Sequence, residues 1–128
     1  MRKPDLETLL FFEGRPGALA LYGILEERIS GAFPDAKKHV QKTQITFFAR
    51  RVFACVSFAR VKRKAELPAE FITVTFGLGA PLDSPRIAAK TEPYPGRWTH
   101  HTVVGRPEEI DEELFSWIRE AYAFAESK

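Results

Sequence analysis

The chain has 128 residues and 45% hydrophobic content, which is enough for one globular domain with its own core. A single cysteine, Cys55, excludes an internal disulfide and favours a reducing compartment. No apolar run approaches the ~20 residues that a membrane-spanning helix needs, so we expect a cytoplasmic protein with no membrane partner.

Two patterns near the start of the chain predict helices. Asp5 is suited to cap a short helix that reaches Phe12, and its apolar side would carry Leu6, Leu9, Leu10 and Phe12. Pro16 suits the first position of a second helix, which should end near residues 30–32 because Gly31 and Pro34 follow. The apolar residues at helical spacing in that second helix are Ala18, Tyr22, Leu25, Ile29 and Phe33.

Beyond Pro34 the pattern changes to that of extended chain. Residues 40–58 favour strands, with Arg50 and Arg51 at the tip of a hairpin and with Phe53 and Cys55 facing opposite to Val52 and Ala54. Residues 71–78 alternate as a half-buried strand does, 86–90 form a further short strand, 91–97 are irregular and 98–104 form the last strand.

A long helix is predicted at the end of the chain, after Gly105 and with Pro107 near its first position. Its apolar stripe holds Ile110, Leu114, Trp117, Ile118, Ala121 and Ala125. We therefore predict a single α+β domain over residues 1–128. It is a two-layer sandwich in which an antiparallel sheet of about five strands is packed by two N-terminal helices and one long C-terminal helix.

Charge is distributed unevenly along the chain, although the formal net charge is only +2. Residues 36–65 hold nine of the nineteen Lys and Arg residues and no acid. Residues 107–128 hold seven acids against Arg119 and Lys128. The asymmetry predicts a basic sheet face and an acidic final helix. The balanced total and the acidic helix argue against nucleic acid as a partner.

The basic stretch predicts a site for an anion, because arginine side chains can fork onto phosphate or carboxylate groups. The residues assigned to this ligand site are Lys42, Gln44, Arg50, Arg51, Arg86, Trp98 and His100. Lys42 and Arg86 would supply charge, Gln44 and His100 directional hydrogen bonds, and Trp98 an apolar wall. The alternative is that the same cations only form a solvated sheet surface.

The sequence carries no catalytic or metal-binding signature. His100 and His101 are neighbours on a predicted strand and so point to opposite faces, and no spacing of His and Cys matches a zinc site. Cys55 lies among apolar neighbours without the motif of a cysteine hydrolase. We therefore predict a protein that is not an enzyme and that needs neither a cofactor nor a metal.

Several short motifs, in order, resemble a family of small, mostly bacterial domains of unknown function, some described only as predicted transport proteins. The motifs are Phe12-Glu13-Gly14-Arg15-Pro16, Lys42-Thr43-Gln44-Ile45, Ser84-Pro85-Arg86-Ile87, Trp98 with His100 or His101, and Ile110-Asp111 leading to Trp117-Ile118. The resemblance implies no catalytic residues. More distantly, the layout is similar to small α+β proteins that include proposed iron chaperones. Those rely on acidic surfaces, whereas the predicted sheet face here is basic.

Three hypotheses about function follow. The preferred one is a cytoplasmic binding module whose basic sheet face recognises an anionic small molecule or an acidic partner surface. The second is self-association into a homo-oligomer, in which the basic hairpin of one copy meets the acidic final helix of another. The third is an enzyme that uses His100 or His101 as a general base, which requires a cleft that joins the histidine to a carboxylate.

Overall fold

The computed structural model describes residues 5–128. The three α-helices are α1 (Leu6–Phe11), α2 (Pro16–Ala32) and α3 (Glu112–Glu126). The strands are β1 (Lys37–Val40), β2 (Gln44–Phe48), β3 (Val52–Ser57), β4 (Ile72–Leu78), β5 (Ala89–Tyr94) and β6 (Arg97–Val104). Within residues 5–128, no helix has both the length and the apolar character needed to cross a bilayer.

The strands form one antiparallel sheet in the order β1-β2-β3-β4-β6-β5, which confirms the predicted α+β class. The sheet has six strands rather than about five. The sequence pattern missed β1 as a separate strand, because its residues Lys37, Lys38 and His39 are polar and only Val40 is apolar. It also placed β5 too early and treated residues 91–94 as irregular, although they belong to this edge strand.

The core lies between the sheet and helices α2 and α3. The predicted apolar positions of α2 and α3 are buried, as the helical spacing requires. They meet the alternate residues of the central strands that point the same way, which include Ile45, Val56, Val74 and Phe76. Alternation leaves the other residues of each strand on the opposite side of the sheet.

Helix α1 begins as predicted and packs differently. The carboxylate of Asp5 accepts a hydrogen bond of 2.9 Å from the Thr8 amide, which confirms the N-cap. Leu6, Leu9 and Leu10 are exposed, however, so the predicted apolar side is wrong for these three residues, and only Phe12 is buried as predicted. The buried residue of this helix is Thr8, whose hydroxyl accepts a 2.7 Å hydrogen bond from Lys38 of β1.

A bulge changes the faces of β3. Phe47 pairs with Ala54 but Phe48 pairs with Val52, so one residue of β3 is left over. That residue, Phe53, is 3% exposed and packs against Phe33 and Tyr122 on the helix side. Phe53 therefore shares the core face with Ala54, contrary to the alternation that the sequence predicted.

The final helix starts later than predicted. Pro107 begins a separate 3-10 turn, Pro107–Glu109, rather than the helix itself. Asp111 then caps α3, because its carboxylate accepts a 3.0 Å hydrogen bond from the Leu114 amide. A side-chain acceptor at Asp111 is the stronger start signal, and it determines where the helix begins.

Candidate functional site

The face of the sheet opposite α2 and α3, which we call the open face, carries a row of polar side chains. The strand registers place His39, Thr46, Cys55, Thr75 and His101 directly across from one another on β1, β2, β3, β4 and β6. A thiol, two hydroxyls and two imidazoles therefore cross five neighbouring strands. Such a row can donate and accept hydrogen bonds along its whole length.

Arg97 lies over the middle of the open face. It shares a strand face with Thr99 and His101, and its side chain reaches across β4 at Gly77. A Cβ added to Gly77 would be 2.6 Å from Cζ of Arg97, so the guanidinium occupies the place of a side chain at position 77. A glycine in a central strand often marks such a close approach.

Hydrogen bonds link neighbours on this face. Oγ1 of Thr75 and Nδ1 of His101 are 2.8 Å apart, and the tautomer of the imidazole decides which atom donates. In either tautomer the remaining nitrogen of His101, Nε2, has no hydrogen-bond partner among the described residues. On β2, the Gln44 amide donates to Thr46 Oγ1 at 3.0 Å, and Thr46 donates to Gln41 Oε1 at 2.8 Å.

Two titratable groups on the open face, Cys55 and His101, favour their neutral forms. Burial raises the pKa of the Cys55 thiol, and the neighbouring Thr46 hydroxyl and the positive charge of Arg97 offset only part of that effect. Burial lowers the pKa of His101. The fixed charge at the centre of the face is therefore that of Arg97.

The strands themselves carry almost no negative charge. The five strands β1, β2, β3, β4 and β6 contain no Asp or Glu, and β5 contains only Glu92. Arg97 takes part in none of the ion pairs that the structure shows within residues 5–128. The open face thus has an unpaired cation among neutral hydrogen-bonding groups.

The four predicted site residues in the first hairpins lie at two ends of the sheet. Lys42 is exposed in the turn before β2, and Gln44 begins that strand on the open face. Arg50 and Arg51 are exposed at the opposite end, between β2 and β3. The Arg50 amide donates a 3.3 Å hydrogen bond to Glu126 of α3, so the basic hairpin already meets the acidic helix within one chain.

Arg86 lies on the helix side of the sheet, where its side chain donates hydrogen bonds to three acceptors. Its guanidinium donates to Asp111 at 2.8 Å, to Glu113 at 3.1 Å and to the Glu109 carbonyl at 2.6 Å, and it lies over the Trp117 ring. Asp111 has a lowered pKa, because the bonds from the Leu114 amide and from Arg86 outweigh the effect of burial. The charge of Arg86 holds the loop before β5 against the start of α3.

Trp98 and His100 also point toward the helices. His100 is 0% exposed and stacks on Phe76, and its Nε2 accepts a 2.9 Å hydrogen bond from the Leu82 amide. Burial lowers the pKa of His100, so the ring is neutral and carries its proton on Nδ1. That Nδ1 has no partner in the described part of the chain. Of these two neighbouring histidines, His101 and not His100 lies on the open face.

The seven predicted residues therefore do not form one cluster, and the predicted ligand site left out Arg97, Thr75 and His101. A signal for two of them was present. Residues 97, 99 and 101 of β6 lie on one face of the sheet, and residues 98, 100, 102 and 104 lie on the other. Because the apolar residues Trp98 and Val104 indicate the core face, the same alternation predicts that Arg97 and His101 share the opposite face. The contact with Gly77 depends on β6 pairing with β4, which is a long-range feature.

No cluster of three or more His, Cys, Asp or Glu residues that could hold a metal ion occurs within residues 5–128. The imidazoles of His100 and His101 lie on opposite faces of the sheet, as the alternation predicts. Neither histidine has a carboxylate partner in this part of the chain. The arrangement on the open face is suited to binding a ligand by hydrogen bonds and by one positive charge.

Comparison with known proteins gives a family and no described activity. No curated protein and no solved structure matches the chain. The model of the family described as "Domain of unknown function (DUF5655)" matches residues 11–125, which leaves out most of α1 and includes the whole sheet, α2 and nearly all of α3. The chain therefore belongs to the DUF5655 family of domains of unknown function.

Proposed function

We propose that this domain is a non-enzymatic binding module that holds an anionic small molecule on the open face of its sheet. The observation that carries the proposal is the position of Arg97, whose guanidinium lies over Gly77 and joins no ion pair within residues 5–128. A guanidinium offers five N–H donors in a planar fork that fits carboxylate and phosphate groups.

The neighbours of Arg97 supply the remaining contacts. Thr75 and His101 present a hydroxyl and an imidazole, and Gln44 presents an amide. Thr46 is buried and already bonded to Gln44 and Gln41, so it positions the Gln44 amide. The row from Thr46 to His101 crosses four strands, a span of roughly 14 Å at the usual spacing of neighbouring strands. This length suits a small organic anion with several polar groups better than a single inorganic ion.

Two observations favour binding over catalysis. The pKa of the Cys55 thiol is raised by burial, which disfavours the thiolate that a nucleophile needs. His101 pairs with the hydroxyl of Thr75 rather than with a carboxylate, so no acid–base pair supports it. We place this module in the cytoplasm, because its single cysteine fits a reducing compartment.

The test is thermal unfolding against a panel of organic anions, nucleotides and inorganic phosphate, at low and moderate salt. A ligand of the folded state at one hundred times its Kd adds about 2.7 kcal/mol to the free energy of unfolding. Arg97→Gln should reduce the shift to about half, as a tenfold weaker affinity requires, whereas Arg63→Gln should keep it, because the Arg63 side chain is 91% exposed in a distant loop. A panel without any shift, or equal losses in the two variants, would contradict the proposal.

Cys55 offers an independent readout at the same place. It is the only cysteine of the chain and lies next to Thr46 on the open face. A bound anion should slow the reaction of Cys55 with a thiol reagent, in proportion to the occupancy of the site. If a ligand stabilises the fold without protecting Cys55, the site is elsewhere.

A further inference from the structure

A cleft lies at the start of α2, and none of the open-face residues Thr75, Arg97 and His101 lines it. The cleft has a volume of about 570 Å³ and lies between the turn that precedes α2 and the segment 60–71. Its lining includes Arg15, Arg60, Lys64, Leu67, Glu70 and Phe71. The volume falls within the ~300–1,000 Å³ typical of small-molecule sites.

Three cations line this cleft, and they come from two separate parts of the chain. Arg15, Arg60 and Lys64 join none of the ion pairs found between residues 5 and 128. Arg15 is also held in place, because its Cζ lies 3.8 Å from the centre of the Phe58 ring. The cleft therefore has a positive wall with one preoriented guanidinium.

The same cleft already accommodates a carboxylate. Oε1 of Glu70 accepts a 2.7 Å hydrogen bond from the Gly17 amide, across 53 positions of sequence. A Cβ on residue 17 would collide with the Glu70 carboxylate, so glycine is required for this contact. Glu70 is the only acid in the lining, so the cations outnumber the acids there by three to one.

Apolar groups complete the cleft. Ala18 and Phe71 are buried beneath it, and Leu67 is half-buried at its side. A ligand with a charged head and an apolar body would place the head near the cations and cover these groups. A bare inorganic ion would leave the apolar part uncovered.

We propose that this cleft is a second binding site, for a small organic anion whose phosphate or carboxylate head carries an apolar body. Arg15, Arg60 and Lys64 bind the head, and Leu67 and Phe71 contact the body. This site is separate from the open face and does not depend on the function proposed for Arg97.

The test is an NMR titration of the ¹⁵N-labelled full chain with phenyl phosphate, benzoate and inorganic phosphate. Saturable shifts are expected at the amides of Gly14, Gly17 and Phe71 with at least one of the two phenyl compounds. Replacing Arg60 and Lys64 together by Gln should weaken that binding about tenfold, as expected for lost charge-assisted contacts. Lys62→Gln is the matched control, because Lys62 lies between the two residues but outside the lining.

The comparison of the two phenyl compounds identifies the head group as phosphate or carboxylate. Glu70→Gln should strengthen binding of either compound, since it removes the one competing negative charge from the lining. The inference is overturned if no shift saturates, if Lys62→Gln weakens binding as much as the double variant, or if inorganic phosphate binds as well as phenyl phosphate. Shifts confined to Thr75 and His101 would also overturn it and would instead report the open face.

Discussion

The guanidinium of Arg97 fills the space that a side chain on residue 77 would need, with Nη2 only 2.6 Å from the position of a Cβ on Gly77. The contact joins two strands that are distant in sequence and brings a positive charge over the centre of the sheet. A substitution of Gly77 should therefore displace the Arg97 guanidinium without removing its positive charge.

The reaction rate of the Cys55 thiol reports whether the positive charge of Arg97 lies nearby. Burial raises the pKa of this thiol, and Arg97 partly lowers it, so we expect Cys55 to react slowly with a thiol reagent near pH 8. Arg97→Gln should slow the reaction further, because the thiolate loses a nearby positive charge. The measurement is the reaction rate in the folded proteins, with the unfolded chain as the reference. A faster rate in Arg97→Gln would contradict the geometry.

The buried histidine makes stability depend on pH. Burial lowers the folded-state pKa of His100, and that of His101 as well, below the ordinary value of 6.5. The unfolded chain therefore binds protons more readily, so the stabilising contribution is complete above pH 6.5 and is lost as the pH falls below it. Denaturant unfolding at a series of pH values should show this loss.

A variant separates the hydrogen bond of His100 from its packing. His100→Phe keeps a ring beside Phe76 but leaves the Leu82 amide without its acceptor, which should cost about 1–3 kcal/mol. The same variant should flatten the pH dependence between pH 5 and 6.5 relative to the wild type. His39→Gln is the control, because it removes a histidine that is exposed rather than buried. An unaltered profile in His100→Phe would contradict the assignment.

Asp111 both caps α3 and accepts a hydrogen bond from Arg86, so two substitutions of Asp111 should differ in the free energy of unfolding. Asp111→Asn keeps an oxygen that can cap the helix but weakens the bond from Arg86, whereas Asp111→Ala loses both. We expect Asp111→Ala to be the less stable variant by about 1 kcal/mol, the usual value of an N-cap. Chemical denaturation of both proteins measures the difference. Equal stabilities would mean that the cap contributes nothing.

Tyr122 and Asp35 form a pair that absorbance can follow. The Tyr122 hydroxyl donates to the two carboxylate oxygens at 2.8 and 2.7 Å, and this bond raises the pKa of Tyr122 to about 12. The contribution to stability is present below pH 10 and is lost as the pH rises toward 12. Asp35→Asn should lower the pKa toward 10 in an ultraviolet titration, with Tyr122→Phe identifying the transition. An unchanged titration would contradict the pairing.

Local sequence signals predicted much of the fold. The spacing of apolar residues, with Pro16 as the start signal and Pro34 as the stop signal, predicted α2 correctly. The apolar stripe around Trp117 predicted the buried side of α3. The edge strands were harder to predict, because β1 and β5 have no buried residue and so lack an apolar period. The bulge at Phe53 has no local signal, since it arises from pairing with β2.

The candidate site was harder to predict than the fold, for a related reason. A high local density of cations indicated residues 36–65, yet Arg97 lies outside that stretch and reaches the sheet centre only because β6 pairs with β4. Arg86 illustrates the opposite error, since its charge is neutralised by Asp111 and Glu113 on a helix that is distant in sequence. Charge counts along a chain do not show which charges meet in space.

Anion binding by Gly77→Ala tests whether Arg97 on the open face binds the ligand. The new methyl group collides with the flexible end of Arg97, so the guanidinium should leave the open face while the fold changes in stability by no more than about 1 kcal/mol. Gly31→Ala is the matched control, because nothing lies within 4 Å of its added Cβ.

Each protein would be titrated with the anion that stabilises the wild type best, and the amide shifts of Thr75 and His101 would be followed by NMR. Gly77→Ala should bind about tenfold more weakly, like Arg97→Gln, and Gly31→Ala should bind as the wild type does. Equal affinity of Gly77→Ala and the wild type would contradict the claim that Arg97 on the open face binds the ligand.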